Sequence, residues 1–206
     1  IKNKEGKKIT EPVFTSIDYF NYQEGYPIVV EKNGKYGAIN IDGTFIIQPK
    51  FKNMDNLGKD YFTFSNDSED TYPKNYGVID KNGNIIIKPI YNEIYAHGEV
   101  YKVETANSKY GLLDKNFKIV IDTIYDDIDI NYQDENTFLL EKDGKYGFAD
   151  KSGKIFIDLL YDDAYPFSED LAPVLKNGKW GFIDRNNNII IDFQFIGNVS
   201  PFHNGV

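Results

Sequence analysis

Imidazole chemistry has only two places to occur in this chain, His97 and His203. General acid–base work needs a base within hydrogen-bond reach of the group it serves. The two histidines fall in loops of different segments, with no paired nucleophile, and read as solvated loop residues. Carboxylates are far more numerous, 32 Asp and Glu against 23 Lys and Arg, for a net charge of −9. They cluster at Asp126-Asp127-Asp129, Asp162-Asp163 and Glu169-Asp170. Oxygen-rich loops can hold Ca²⁺, but this spacing matches neither an EF-hand loop nor a nonapeptide Ca²⁺ repeat. Nothing marks one pair as the acid and base of glycoside hydrolysis. The clusters read as acidic loops that keep the chain soluble. The absence of cysteine removes thiolate nucleophiles, disulfides and cysteine metal sites. No catalytic residue, cofactor or metal is expected, and the chain is not expected to be an enzyme.

Binding is the better prospect. Asn66 to Lys74 looks like a loop inserted where other segments have a tight turn. Insertions of this kind carry function in repeat proteins, so Asp67, Glu69, Asp70 and Tyr72 are the candidate ligand or partner residues. Aromatic residues make up 16% of the chain, with 16 Tyr and 15 Phe. A surplus set, including Tyr19, Phe20, Tyr22, Tyr26, Tyr61, Phe62, Tyr95, Tyr101, Tyr132 and Tyr165, supplies core between segments, and part of it is a candidate exposed platform. The acidic balance repels nucleic acid and anionic lipid, and no basic face is visible. No run approaches the roughly 18 apolar residues that span a membrane.

The elements that must position these residues are set by a repeat. An aromatic–glycine pair recurs at Tyr36-Gly37, Tyr76-Gly77, Tyr110-Gly111, Tyr146-Gly147 and Trp180-Gly181, at intervals of 40, 34, 36 and 34 residues. A period of that size signals a repeat array. A strand such as Ile28 to Lys32 precedes the pair, and Asn33-Gly34, Asp143-Gly144 and Asn177-Gly178 suit type I′ hairpins. A second turn such as Asp80-Lys81-Asn82-Gly83 follows, then a β-branched strand such as Ile85-Ile86-Ile87. Phe117 stands where the second turn expects Gly, so that turn is expected to be strained or differently shaped. Pro12, Pro49 and Pro89 mark the end or edge of the third strand. A connection of 10–15 residues completes each unit and has room for a fourth short strand or a helical turn. A glycine inside a strand marks a bulge or a close backbone approach, and a ring from Phe14, Phe51, Tyr91, Tyr125, Tyr161 or Phe195, one per unit, is expected to lie across it.

The run Gly178-Lys179-Trp180-Gly181-Phe182-Ile183-Asp184, with its turn, Ile-rich strand and following ring, resembles the bacterial WG-containing repeat, also called the KWG repeat. Nearly the whole chain is covered, with Tyr replacing Trp in four of the five pairs. The resemblance implies a β-rich bacterial repeat domain, often part of a larger protein, without catalytic residues or a defined ligand.

The expected fold is all-β: tandem antiparallel β-meander repeats stacked in an open curved solenoid or superhelix, with a closed propeller-like ring as the alternative. Residues 1–206 form one array, with a partial repeat at 1–25 and repeats at 26–60, 61–98, 99–135, 136–170 and 171–206, the last running into a further repeat. Both ends fall mid-repeat and the chain starts at Ile1, which suggests a piece of a longer array. The expected function is a non-catalytic module making protein–protein contacts, monomeric as a fragment. The alternative is a cell-surface module binding polysaccharide through exposed Tyr and Phe, and an enzyme ranks third. A surface or secreted location is favoured over the cytoplasm.

Overall fold

In a computed structural model, residues 14–17, 26–68, 70–130, 134 and 136–202 are described. Glu69, Pro12, Tyr19, Phe20, Tyr22, Tyr132, His203 and the start of the further repeat after Phe202 lie outside the described residues. Among the described residues, twenty short strands follow one another and no helix occurs. The chain divides into two compact units, Ile1–Ala106 and Asn107–Val206.

The first unit holds two four-stranded antiparallel meanders. One is β1 (Ser16–Ile17), β2 (Ile28–Lys32), β3 (Lys35–Ile39) and β4 (Phe45–Phe51), and the other is β5 (Asn53–Asn56), β6 (Tyr61–Ser65), β7 (Tyr76–Asp80) and β8 (Ile85–Tyr91). It also holds the hairpin of β9 (Glu93–His97) and β10 (Val100–Glu104). The second unit opens with β11 (Tyr110–Asp114) paired to β12 (Ile119–Tyr125). Two further meanders follow there: β13 (Asp127–Ile130) to β16 (Ile155–Tyr161) through β14 (Thr137–Lys142) and β15 (Lys145–Asp150), and β17 (Asp163–Ala164) to β20 (Ile189–Phe195) through β18 (Ala172–Lys176) and β19 (Lys179–Ile183). The connection after Phe51, Tyr91, Tyr125 and Tyr161 therefore holds a short strand, β5, β9, β13 and β17, that pairs with the strand after it.

Local chemistry explains the turns. Asn33 and Gly34 sit at φ 54° and 69°, and Asp143-Gly144 and Asn177-Gly178 repeat this pair of left-handed residues. A type I′ turn requires positive φ at both positions and matches the twist of the flanking strands. In the second turn, Phe117 takes φ 62° where Gly43, Gly83 and Gly153 stand in other repeats. That conformation crowds Cβ against the following carbonyl, so the expected strain is present.

The glycine of the pair marks a bulge and a close backbone approach, as expected, but not under the expected ring. A Cβ on Gly147 would meet Ile157 O at 2.6 Å and Asp158 C at 2.7 Å, and one on Gly37 would meet Ile47 O at 2.5 Å. Backbone of the next strand, not a ring of the expected set, fills that space. The register shows why: Tyr146 pairs with Tyr161 while Phe148 pairs with Ile157, so two steps on β15 face four on β16. The extra residues bulge β16 towards the glycine. Rings do reach Gly77 and Gly181, but they belong to Phe64 and Phe193. The expected rings lie one residue away, opposite the aromatic of the pair, as in Tyr36↔Phe51 and Trp180↔Phe195. Pro49 and Pro89 lie inside this bulge on edge strands, and β4 and β8 continue through them to the ring rather than ending there.

Burial is shared between successive sheets. Val29, Ala38, Ile47 and Phe51 of the first meander join Met54, Phe62, Phe64 and Ile79 of the second in one core. In the second unit, Leu139, Phe148, Ile157 and Tyr161 join Ala164, Phe167, Ala172, Val174 and Ile183. Phe51 is 5% exposed with a sheet packed over it, whereas Phe195 of the last described strand is 41% exposed. A repeat needs its neighbour to remove the ring from water.

Candidate functional site

Several carboxylates that composition offers as chemistry are engaged in holding turns. Asp80, Asp114 and Asp184 each accept two backbone amides on Oδ1, from the residues two and four positions on. Asp150 does the same with Ser152 and Lys154. Hydrogen bonds to the ionised form hold these carboxyls below the usual range. The chief donor is the Asn188 side chain for Asp184, the Ser152 hydroxyl for Asp150 and the Lys118 amide for Asp114. For Asp80, slight burial pushes upward and is outweighed by donors from Asn84 and Asn82. The first repeat has Asn40 at this position, and Asp42 caps the Thr44 amide at 2.9 Å instead.

The acidic clusters contain a second device. Asp162 binds the Lys145 ammonium at 2.5 Å through Oδ1 and accepts the Asn177 amide at 2.9 Å through Oδ2. Asp126 binds Lys109 and the Asp143 amide in the same way. Each aspartate directly follows a repeat's ring, takes the lysine of that repeat, and caps the hairpin of the next. Lysine is the leading cause holding both carboxyls low. The corresponding positions of the first unit carry Lys52 and Asn92. Within the second unit Arg185 adds a further tie, with Nη2 2.9 Å from Asp134, Nε 3.1 Å from Asp170 and its guanidinium 4.7 Å from the centre of the Phe167 ring. Among the described residues, no group of three or more His, Cys, Asp or Glu could hold a metal ion.

The inserted loop is organised by Asp67, whose Oδ2 accepts the Asn75 backbone amide at 2.7 Å and the Asn75 side chain at 3.1 Å. Asn53 donates to the Asp67 carbonyl, and Ser68 and Thr71 hydrogen bond across the loop at 2.8 Å. Asp70 is exposed, and Tyr72 stands out from the loop at 85% exposure. Of the candidate residues, Asp67 faces inward to the loop while Asp70 and Tyr72 face solvent. His97 ends β9 with partial exposure.

Of the surplus rings, Phe62 is buried, and Tyr165 stacks on Trp180 with ring centres 5.3 Å apart. Tyr26, Tyr61 and Tyr101 are half-buried, and Tyr95 is exposed. The recurring exposed apolar positions are aliphatic instead. The first residue of the edge strand is exposed as Ile85, Ile119, Ile155 and Ile189, and the sixth as Ile90, Ile124 and Leu160. On β16 this exposure persists although the last sheet packs against the same strand.

Tandem antiparallel meanders whose rings are covered by the next sheet define a β-repeat protein. The model of the WG containing repeat matches residues 1–36, 36–68, 76–96, 110–146, 146–180 and 180–206, and the chain belongs to that family. No curated protein matches it. Similar solved structures include the computationally designed Ika8 protein, at 11% identity over 84% of this chain and 58% of that one, with a TM-score of 0.38. BamB from Moraxella catarrhalis matches at 14% identity over 80% and 56%, with a TM-score of 0.40. Hsv2 of Kluyveromyces lactis matches at 9% identity over 80% and 58%, with a TM-score of 0.37. The chain spans a little over half the length of these solved chains. No helix among the described residues is long and apolar enough to cross a membrane.

Proposed function

We propose that this chain is a non-catalytic interaction module of a bacterial protein, contacting another protein through the aliphatic residues of its edge strands. The observation that carries this reading is the exposure of Ile119, Ile124, Ile155 and Leu160 at the same two positions of successive repeats in one unit. Scattered apolar residues are ordinary on a surface, but recurrence at fixed positions supplies apolar surface of the kind that interfaces bury. The bulges opposite the glycines disfavour the alternative use of these edges, direct strand pairing with another sheet. The carboxylates beside these strands are occupied as turn caps and repeat ties, which supports a structural rather than a catalytic use of the acidic residues.

A photo-crosslinking residue placed at Ile124 or Leu160 of the full-length protein, in its native cells, tests the reading. Capture of one protein at both positions, absent from a label at exposed Lys151, supports it. Capture of glycan alone would transfer the reading to polysaccharide, where exposed Tyr72 and Tyr95 are the candidate contacts.

A further inference from the structure

The exposed edge strands carry charge as well as aliphatic surface, and the two units carry opposite signs. The fourth and sixth residues of each edge strand are exposed and two apart on the chain, so they share one side of the strand. In the first unit these positions include Lys50 on β4 and Lys88 on β8, and no carboxylate. In the second they include Asp122 on β12, Asp158 on β16 and Asp192 on β20, and no cation. None of these three is among the aspartates that cap turns or tie repeats. Exposed Ile90 follows Lys88 by two residues, just as Ile124 follows Asp122 and Leu160 follows Asp158. Charge on an edge strand keeps it from pairing at random, and either sign does this. That purpose does not require the signs to be sorted by unit.

We infer that the edge strands pair between copies of this chain, the first unit of one copy against the second unit of another. The inference rests on the reading of those strands as a contact surface and names the partner as a second copy. Lys88 meets Asp122 or Asp158, while Ile90 lies against Ile124 or Leu160, so ion pairs flank an apolar contact. Like edges are disfavoured: two second-unit edges set Asp against Asp, and two β8 edges set Lys against Lys. The contact therefore joins two different surfaces and is heterologous. The complement to the acidic, aliphatic edge of the second unit is present on this chain itself, at the same strand positions.

The test is sedimentation velocity of the full chain over a range of concentrations, with melting temperature followed for every variant. The parent is expected to self-associate reversibly and to dissociate in roughly 0.5 M NaCl, where screening shortens the reach of the ion pairs to a few Å. Lys88→Glu, and separately the pair Asp122→Lys with Asp158→Lys, should each weaken self-association at least tenfold. Mixed in equal amounts, these two variants should associate with each other, because the new acidic edge of one meets the new basic edge of the other. Lys59→Glu with Lys151→Glu, which changes exposed lysines outside the edge strands, should associate as the parent does. A monomer at every concentration, association that both charge variants leave unchanged, or a mixture that stays monomeric would overturn the proposal. Capture of a different protein by labels at Ile124 and Leu160 would then leave the edge strands as that protein's contact surface, while capture of nothing would remove both readings.

Discussion

Asp162 holds Lys145 of its own repeat on one carboxylate oxygen and the Asn177 amide of the next repeat on the other. One short side chain thereby sets the pairing strand of one meander against the hairpin of its successor. Asp126 does the same between Lys109 and the Asp143 amide.

Replacing Asp162 with Ala should lower the melting temperature by a few degrees, roughly 2–4 °C for a chain of this size. Asp162→Asn retains an acceptor for the Asn177 amide and should lose less. Lys145→Met should fall between the parent and Asp162→Ala, since only the exposed ion pair is removed. Differential scanning calorimetry of the three variants checks this order.

The bulge opposite Gly147 makes an unequal pair of glycines. Gly147→Ala forces a methyl onto the backbone of Ile157 and Asp158 and should destabilise by about 2–4 kcal/mol. Gly34→Ala meets nothing within 4 Å and suffers only from its φ of 69°, a loss of about 1 kcal/mol. Urea denaturation of both variants tests whether close approach, rather than turn conformation, is the function of the paired glycine.

Asp114, Asp150 and Asp184 are held below the ordinary carboxyl value of 3.8. Their contribution to stability is fully present above the unfolded value, near pH 4, and is lost as pH falls through the lower folded values. The triple variant Asp114→Asn, Asp150→Asn, Asp184→Asn keeps an acceptor at each turn and removes the titration. Its stability should fall less between pH 7 and pH 3 than that of the parent, measured by urea unfolding at both values.

Phe167 packs with Phe148 at 4.7 Å between ring centres and lies beneath the Arg185 guanidinium. Phe167→Ala should destabilise the second unit by about 3–5 kcal/mol. Hydrogen exchange should show the loss in β14 to β19 together, because the ring belongs to the core that the two sheets share.

The period, the meander order, the type I′ hairpins and the left-handed Phe117 were legible because each rests on local chemistry: Asn-Gly and Asp-Gly pairs, a β-branched run, a residue standing where glycine belongs. The partner of Gly147 was not legible. The glycine pointed to a bulge or a close backbone approach, but a bulge changes which residues face each other across a ladder without changing the spacing along the chain, so the expected ring was chosen over the backbone of β16. The tie between Asp126 and Asp143 joins residues 17 apart and depends on how successive sheets meet. Ile119 and Ile121 illustrate the same limit: both are β-branched members of one strand, yet one is exposed and the other buried. Residue type shows that a strand forms there, while the packing of the next sheet decides which side chain remains at the surface.

The most direct measurement is the affinity of the crosslinked partner for the parent chain and for a variant carrying Ile119→Ser, Ile124→Ser, Ile155→Ser and Leu160→Ser, with melting temperature followed in parallel. The expected result is an affinity loss of at least a hundredfold with the fold retained, since four exposed aliphatic anchors are removed and each factor of ten is 1.4 kcal/mol. Unchanged affinity in a folded variant would contradict the assignment of the edge strands as the contact surface.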